Sequence, residues 1–89
     1  MELTTQTWTV ELLLSECDGA THAEARLHTG LPEPLTAVGD ARLSSHDPVD
    51  VAEIGFELAA ARALTNLGAA LLHTADVDVQ DLLRTLHRT

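Results

Sequence analysis

Four side chains on one short segment could carry acid–base or metal chemistry. His22, Glu24, Arg26 and His28 occupy alternate positions, which puts them on one face of a strand. Imidazole and carboxylate groups can transfer protons or bind a metal ion. A strand advances about 3.3 Å per residue, so the two histidines lie roughly 20 Å apart and cannot bind one ion. The pattern therefore predicts a polar sheet face. We expect its basic members, together with Arg42, to be candidate contacts to RNA or another partner.

Two other segments offer weaker chemistry. His46 and Asp47 are neighbours in a loop, where side chains rarely orient each other as a catalytic dyad, and no nucleophile is marked nearby. Cys17 is the only cysteine, so neither an internal disulfide nor a cysteine metal site can form. It also lacks the neighbouring cation that activates a thiol. The sequence predicts no catalytic residues, no cofactor and no metal site, and hence no enzymatic activity.

The charge balance restricts the partners. The chain has fourteen acidic residues, five arginines and no lysine, which gives a formal net charge of −9. Phosphate binding depends on clustered cations, so this charge disfavours direct nucleic-acid binding and attraction to an anionic membrane. The N-terminus has no leader-like pattern, and no segment approaches the roughly 20 apolar residues of a membrane span. We expect a single cytoplasmic domain covering residues 1–89.

A β-hairpin is predicted at the start of the chain. In a first strand at 6–15, Trp8, Val10, Leu12 and Leu14 alternate with residues that are polar except for Leu13, and Asp18-Gly19 is a two-residue turn signal before a second strand at 20–28. A turn centred there pairs residues whose numbers sum to 37. Val10 then faces Leu27, and Glu11 faces Arg26. The register set by the turn therefore gives an apolar pair on one face and an opposite-charge pair on the other.

A third strand is predicted at residues 35–43, after a loop with two prolines. One register pairs residues whose numbers sum to 66, which would place Arg26 opposite Asp40 and Glu24 opposite Arg42. The loop length does not determine this register. Small residues on the inner face would let a helix approach the sheet closely.

Two helices are predicted to follow. Asp50 is an N-cap candidate for a long helix at 51–73, with Glu53 completing a capping box and Val49 and Ile54 forming a hydrophobic staple. Asp78 is a similar cap for a short helix at 79–88. The short helix could fold back on the long one or reach across to a second subunit.

The long helix is apolar over more than half of its circumference and must be covered on more than one side. This excess predicts a homodimer. Trp8 is expected to anchor the core at the sheet edge rather than to stack on a base. The candidate dimer surface consists of five residues: Phe56, Leu67, Leu82, Leu83 and Leu86.

The sequences of several segments resemble a family of small actinobacterial proteins of unknown function, some of them linked to dormancy and hypoxic stress. The segments are Trp8-Thr-Val-Glu, Ala23-Glu-Ala-Arg-Leu27, Gly39-Asp-Ala-Arg-Leu43 and above all Glu53-Ile-Gly-Phe-Glu-Leu-Ala-Ala-Ala-Arg-Ala-Leu64. The resemblance implies an α+β fold, β-β-β-α, similar to a double-stranded-RNA-binding domain without its first helix. It also implies a dimer shaped like ribosome hibernation-promoting factors, with no enzymatic activity.

Two functions are therefore expected from the sequence. The first is a non-enzymatic, dimeric, stress-associated regulator that acts at the ribosome. The alternative is a protein–protein interaction module that uses the apolar helix surface, binds no RNA and suits a cationic protein partner.

Overall fold

The first two strands form the predicted hairpin. In the computed structural model, which describes residues 2–42 and 51–87, β1 spans Thr9–Cys17 and β2 spans Ala20–His28. Asp18 and Gly19 have φ values of 51° and 79°, and positive values at both positions are what a two-residue type I′ turn requires. Val10 pairs with Leu27 and Glu11 with Arg26, so the predicted register is confirmed. The first strand begins and ends later than predicted.

The third strand, β3 (Leu35–Arg42), completes an antiparallel sheet of order β1-β2-β3, but its register differs from the prediction. Arg26 lies opposite Thr36, and His22 lies opposite Asp40. The predicted pairing of Arg26 with Asp40 is therefore wrong by four residues, because the turn between the two strands is centred on residue 31 rather than residue 33. An even shift keeps every side chain on its predicted face.

One continuous helix, α1 (Val51–Leu86), follows the sheet. The predicted start at residue 51 is confirmed, but the predicted division into helices at 51–73 and 79–88 is wrong. Residues 74–78 contain neither glycine nor proline, and the Thr74 hydroxyl donates to the Ala70 carbonyl at 3.0 Å, so nothing interrupts the helix. The cap at Asp50, its neighbour Val49 and the His46–Asp47 pair lie outside the described residues.

The core lies between the inner face of the sheet and the first part of the helix, residues 51–71, which we call the trunk. Glycine at position 39 permits this packing, because a Cβ there would meet the backbone nitrogen of Ala63 and lie 2.6 Å from the Ala59 carbonyl oxygen. The helix and β3 are therefore in backbone contact. The buried apolar residues are Ala23, Ala25, Leu27, Ala41, Ala59, Ala63 and Leu67.

The trunk also occupies the free edge of β3. Arg62 Nη1 donates to the Asp40 carbonyl and Asn66 Nδ2 donates to the Val38 carbonyl, both at 2.7 Å. These carbonyls are two residues apart on an edge strand, where they would otherwise be open to another strand. The opposite edge, along β1, has no such cover among the described residues.

The rest of the helix, residues 72–86, projects beyond the sheet and is called the tail. All of its residues are exposed. The 36-residue helix is about 54 Å long. The radius of gyration is 18.1 Å, against about 12 Å for a compact domain of this size. No helix in the described part of the chain combines the length and apolar composition needed to cross a bilayer.

Candidate interaction surfaces

The outer face of the sheet carries paired charges. Arg26 Nε donates to Glu24 Oε2 at 2.6 Å, and its Nη1 lies 3.9 Å from Glu11 Oε1. His28 Nε2 lies 3.5 Å from the same oxygen of Glu11. Two carboxylates therefore offset the charge of Arg26. The predicted basic members of this face are held beside acidic partners rather than gathered into a cationic patch.

The other two candidate contacts lie further along the sheet. His22 Nδ1 is 2.7 Å from Asp40 Oδ1. Arg42 is exposed at the end of β3, in register with Ala20. The structure thus places all four candidates on the same face, with Arg26 and His28 around Glu11 and the other two nearer the hairpin turn.

A row of three polar residues crosses the sheet and was not foreseen in the sequence. Ser15 faces His22 across β1 and β2, and Asp40 faces His22 across β2 and β3. Their types match a hydroxyl–imidazole–carboxylate triad. Within the described residues a hydrogen bond joins His22 to Asp40 but none joins Ser15 to His22, and the two paired side chains are 49% and 72% exposed. The row links two strands and lacks an activated nucleophile. Only the correct β2–β3 register would have revealed it.

The remaining reactive groups are isolated. Cys17 is exposed at the hairpin, with its Sγ 3.9 Å from Asp18 Oδ2. Among residues 2–42 and 51–87, no three histidine, cysteine or carboxylate side chains are placed to hold a metal ion.

The inner face of β1 is apolar and only partly covered. Val10, Leu12 and Leu14 belong to this face and remain exposed, because the trunk lies over β2 and β3. Trp8 was expected to anchor the core but is half-exposed, with its Nε1 donating to Gln6 at 3.0 Å. Beside it, a cleft of about 470 Å³ opens between the sheet and the helix, where the trunk meets the tail. Its apolar lining includes Trp8, Leu27, Leu31, Leu35, Leu71 and Ala75.

The tail is an apolar surface that the described residues leave exposed. Leu72, Leu82 and Leu86 are 65%, 59% and 64% exposed. Of the residues predicted for a dimer surface, the three tail leucines at 82, 83 and 86 are exposed. Phe56 is half-buried, and Leu67 lies within the chain's own core. Leu67 therefore cannot contact a second subunit.

Comparison with known families gives one match over nearly the whole chain. The sequence profile of the Rv2632c-like family matches residues 6–88. This range includes the three strands and the helix.

Individual proteins resemble the chain to a similar extent. An uncharacterized protein of Mycobacterium bovis, Mb1767, is 44% identical over 75 residues, which cover 84% of this chain and 78% of that protein. The uncharacterized protein Rv2632c of Mycobacterium tuberculosis is 40% identical over 77 residues, with the same two coverages. The crystal structure of Rv2632c matches with a TM-score of 0.81 and 34% identity over 100% of both chains.

Proposed function

This chain belongs to the Rv2632c-like family, and from that premise we propose that it is a non-enzymatic interaction module that works as a homodimer in the cytoplasm. The exposed apolar tail is the observation that carries the proposal. The compared relatives have no assigned activity, so the proposal rests on this chain's own surfaces.

A partner would stabilise the tail. Isolated helices shorter than about 12–15 residues are marginal in water, and most helical stability in proteins comes from packing of an apolar face. The tail is at this limit of length, and it exposes Leu72, Val79, Leu82 and Leu86. Covering these side chains supplies the packing that the single chain does not.

The core of one chain is also small. Its buried apolar residues are five alanines and two leucines. Full burial of a leucine side chain contributes about 1.5–3 kcal/mol, and alanine contributes much less. In a chain of 89 residues such a core gives limited stability, and further burial in an interface would add to it.

Analytical ultracentrifugation of the purified chain tests the proposal. We expect a species of twice the 9.5 kDa chain mass at micromolar concentration. Leu82→Gln with Leu86→Gln should give a monomer. Val77→Gln is the matched control, because Val77 lies on the other side of the tail, and it should leave the dimer intact. A wild-type chain that stays monomeric at every concentration would reject the homodimer.

The ribosome-associated stress regulator is the second candidate. It is supported by the resemblance to hibernation-promoting factors and RNA-binding domains, and by two arginines and two histidines on one sheet face. Co-sedimentation with ribosomes in sucrose gradients at physiological salt tests it. Binding that Arg26→Glu with Arg42→Glu abolishes would support this candidate. Recovery only in the top fractions, from stressed and growing cells alike, would reject it.

A further inference from the structure

The helix has a second, exposed apolar stripe, most of it turned away from the buried face; one of its residues, Ala75, also lines the cleft beside Trp8. Residues Gly55, Ala59, Ala63 and Leu67 are buried toward the sheet, and the second stripe is turned by roughly 160–180° around the axis. Its positions recur at alternating intervals of four and three residues, which is the heptad repeat of helices that pair. All ten are exposed, and we call them the seam: Ile54, Leu58, Ala61, Thr65, Gly68, Leu72, Ala75, Val79, Leu82 and Leu86.

Packing within the single chain does not require a glycine at position 68 of the seam. A glycine inside a helix costs about 1 kcal/mol relative to alanine. A Cβ at Gly68 would meet nothing within 4 Å, whereas a Cβ at Gly39 would collide with the trunk backbone. The space at Gly39 is filled by the chain itself. The space at Gly68 is empty, at the middle of a helix that runs from Val51 to Leu86.

We propose that two copies of this chain pair their helices antiparallel along the seam, with Leu72 of each copy filling the space over Gly68 of the other. This inference rests on the proposed homodimer and adds its surface, direction and register. In this register, facing residues have numbers that sum to 140. The other layers are Thr65 against Ala75, Ala61 against Val79, Leu58 against Leu82 and Ile54 against Leu86.

The alternation of residue sizes selects this direction. In antiparallel pairs the first core position of a heptad meets the fourth of the partner helix, so Leu72 meets Gly68 and Val79 meets Ala61. Each central layer then combines a larger and a smaller side chain. A parallel pair would align identical residues, so Gly68 would face Gly68 and Leu72 would face Leu72. Two straight helices cannot fill those alternating wide and narrow layers evenly.

Flanking charges favour the same register. Beside the seam, Arg62 of one copy comes next to Asp76 of the other, an attractive pair that forms twice in a two-fold dimer. Of the two antiparallel registers one heptad away, one would bring Glu57 against Asp78, which repel each other, and the other would lose the Arg62–Asp76 pair. The Thr65 hydroxyl already donates to the Ala61 carbonyl at 2.8 Å, so it can be covered without losing a partner.

The seam is large enough for a stable dimer. It offers six large side chains, and the exposed Leu64 and Leu83 flank it. At roughly 60–100 Å² of newly covered apolar surface for each side chain, about 500–800 Å² is removed per copy. A standard interface buries about 800 Å² per partner. Each tail would lie along the back of the partner trunk, so the two sheets would form the outer layers.

Disulfide trapping tests direction and register in a Cys17→Ser background. Leu58→Cys and Leu82→Cys chains should form a covalent dimer when mixed and oxidised, because these positions face each other. Neither chain alone should cross-link, since its own two cysteines would lie about 36 Å apart. Cross-linking of Leu58→Cys alone would show a parallel pair. A dimer that gives no mixed cross-link would overturn the seam while leaving the homodimer intact, and a monomeric chain would reject both.

Gly68→Leu gives an independent readout. In the single chain the added side chain meets open space, so helix content should be retained. In the dimer it meets Leu72 of the other copy, and we expect the dissociation constant to rise by about 10- to 100-fold. Arg84→Leu adds a leucine on the opposite side of the tail and should leave the dissociation constant within about threefold of the wild-type value. Equal affinities for the two variants would overturn the proposal.

Discussion

The trunk and the tail are both rich in apolar residues, but the trunk is packed against the sheet and the tail is exposed to solvent. The trunk faces its sheet with small residues, Gly55, Ala59 and Ala63, so that the helix and strands come into close contact. The tail carries large ones, and all are exposed. The chain buries the small residues of the trunk against its own sheet, and it leaves the large residues of the tail exposed.

The two central glycines show the same difference at single positions. Gly39 is required by the chain's own packing, since a Cβ would meet backbone atoms that cannot move independently. Gly68 is surrounded by open space. One glycine therefore reports on the fold and the other on the proposed interface, and substitutions can separate the two.

The largest effect is expected at Gly39. Gly39→Ala should lower the free energy of unfolding by about 3 kcal/mol or more, because the helix must move away from β3. In the monomeric background of Leu82→Gln with Leu86→Gln, Gly68→Ala should change this free energy by no more than about 1 kcal/mol, since the added methyl has space in the single chain. Urea unfolding followed by circular dichroism measures both. Similar losses at the two positions would contradict the distinction between them.

The next largest effect is expected at one of two leucines, Leu67 and Leu72, when each is replaced in the monomeric background of Leu82→Gln with Leu86→Gln. Leu67→Ala should cost about 2–4 kcal/mol, because it leaves a cavity in the core. Leu72→Ala should cost less than about 0.5 kcal/mol, because its side chain is exposed without the second copy. The midpoints and slopes of urea unfolding curves give both values. A large loss at Leu72 would mean that the tail packs within one chain.

A smaller effect is expected where the trunk covers the edge of β3. Asn66→Ala removes the hydrogen bond to the Val38 carbonyl and should cost about 1 kcal/mol. The exposed carbonyl can still bind water, which limits the loss. With both changes made in the monomeric background of Leu82→Gln with Leu86→Gln, the neighbouring Thr65→Ala is the control for helix stability. Thermal unfolding of both variants measures the difference, and equal midpoints would show that this contact is not stabilising.

The smallest effect belongs to the outer face. Asp40→Ala removes the partner of His22 and should change stability by less than about 1 kcal/mol, because both side chains are exposed. Sensitivity to salt distinguishes an electrostatic contribution from a change in strand propensity, since salt screens only the former. A loss of several kcal/mol would assign this pair a structural role that its exposure does not suggest.

The strands were predictable where local signals agreed. Asp18-Gly19 determines the hairpin register because the turn type and the apolar alternation point to the same pairs. Before β3 no turn motif restricts the register, and a shift of four residues leaves each side chain on its own face. Alternation alone could not detect that error, so the Ser15–His22–Asp40 row was missed.

In the helix, by contrast, local sequence signals were misleading. Its beginning agreed with the cap and staple pattern, but the same signals at Asp78 and Val77 predicted a second start that does not exist. Capping residues are tolerated inside a helix when neither glycine nor proline interrupts it. The apolar excess of the helix is present in the exposed tail, and the partner that it predicts stays a prediction. Leu67 could not be excluded from that surface without knowing where the sheet lies.

Hydrogen exchange of the tail amides tests the central claim most directly. The account predicts that residues 72–86 are protected to a degree similar to the trunk when the chain is concentrated, and that their protection falls first on dilution. Leu82→Gln with Leu86→Gln should remove tail protection at all concentrations and leave the trunk protected. Tail amides that exchange at unprotected rates in the concentrated wild-type chain, beside a protected trunk, would contradict the account.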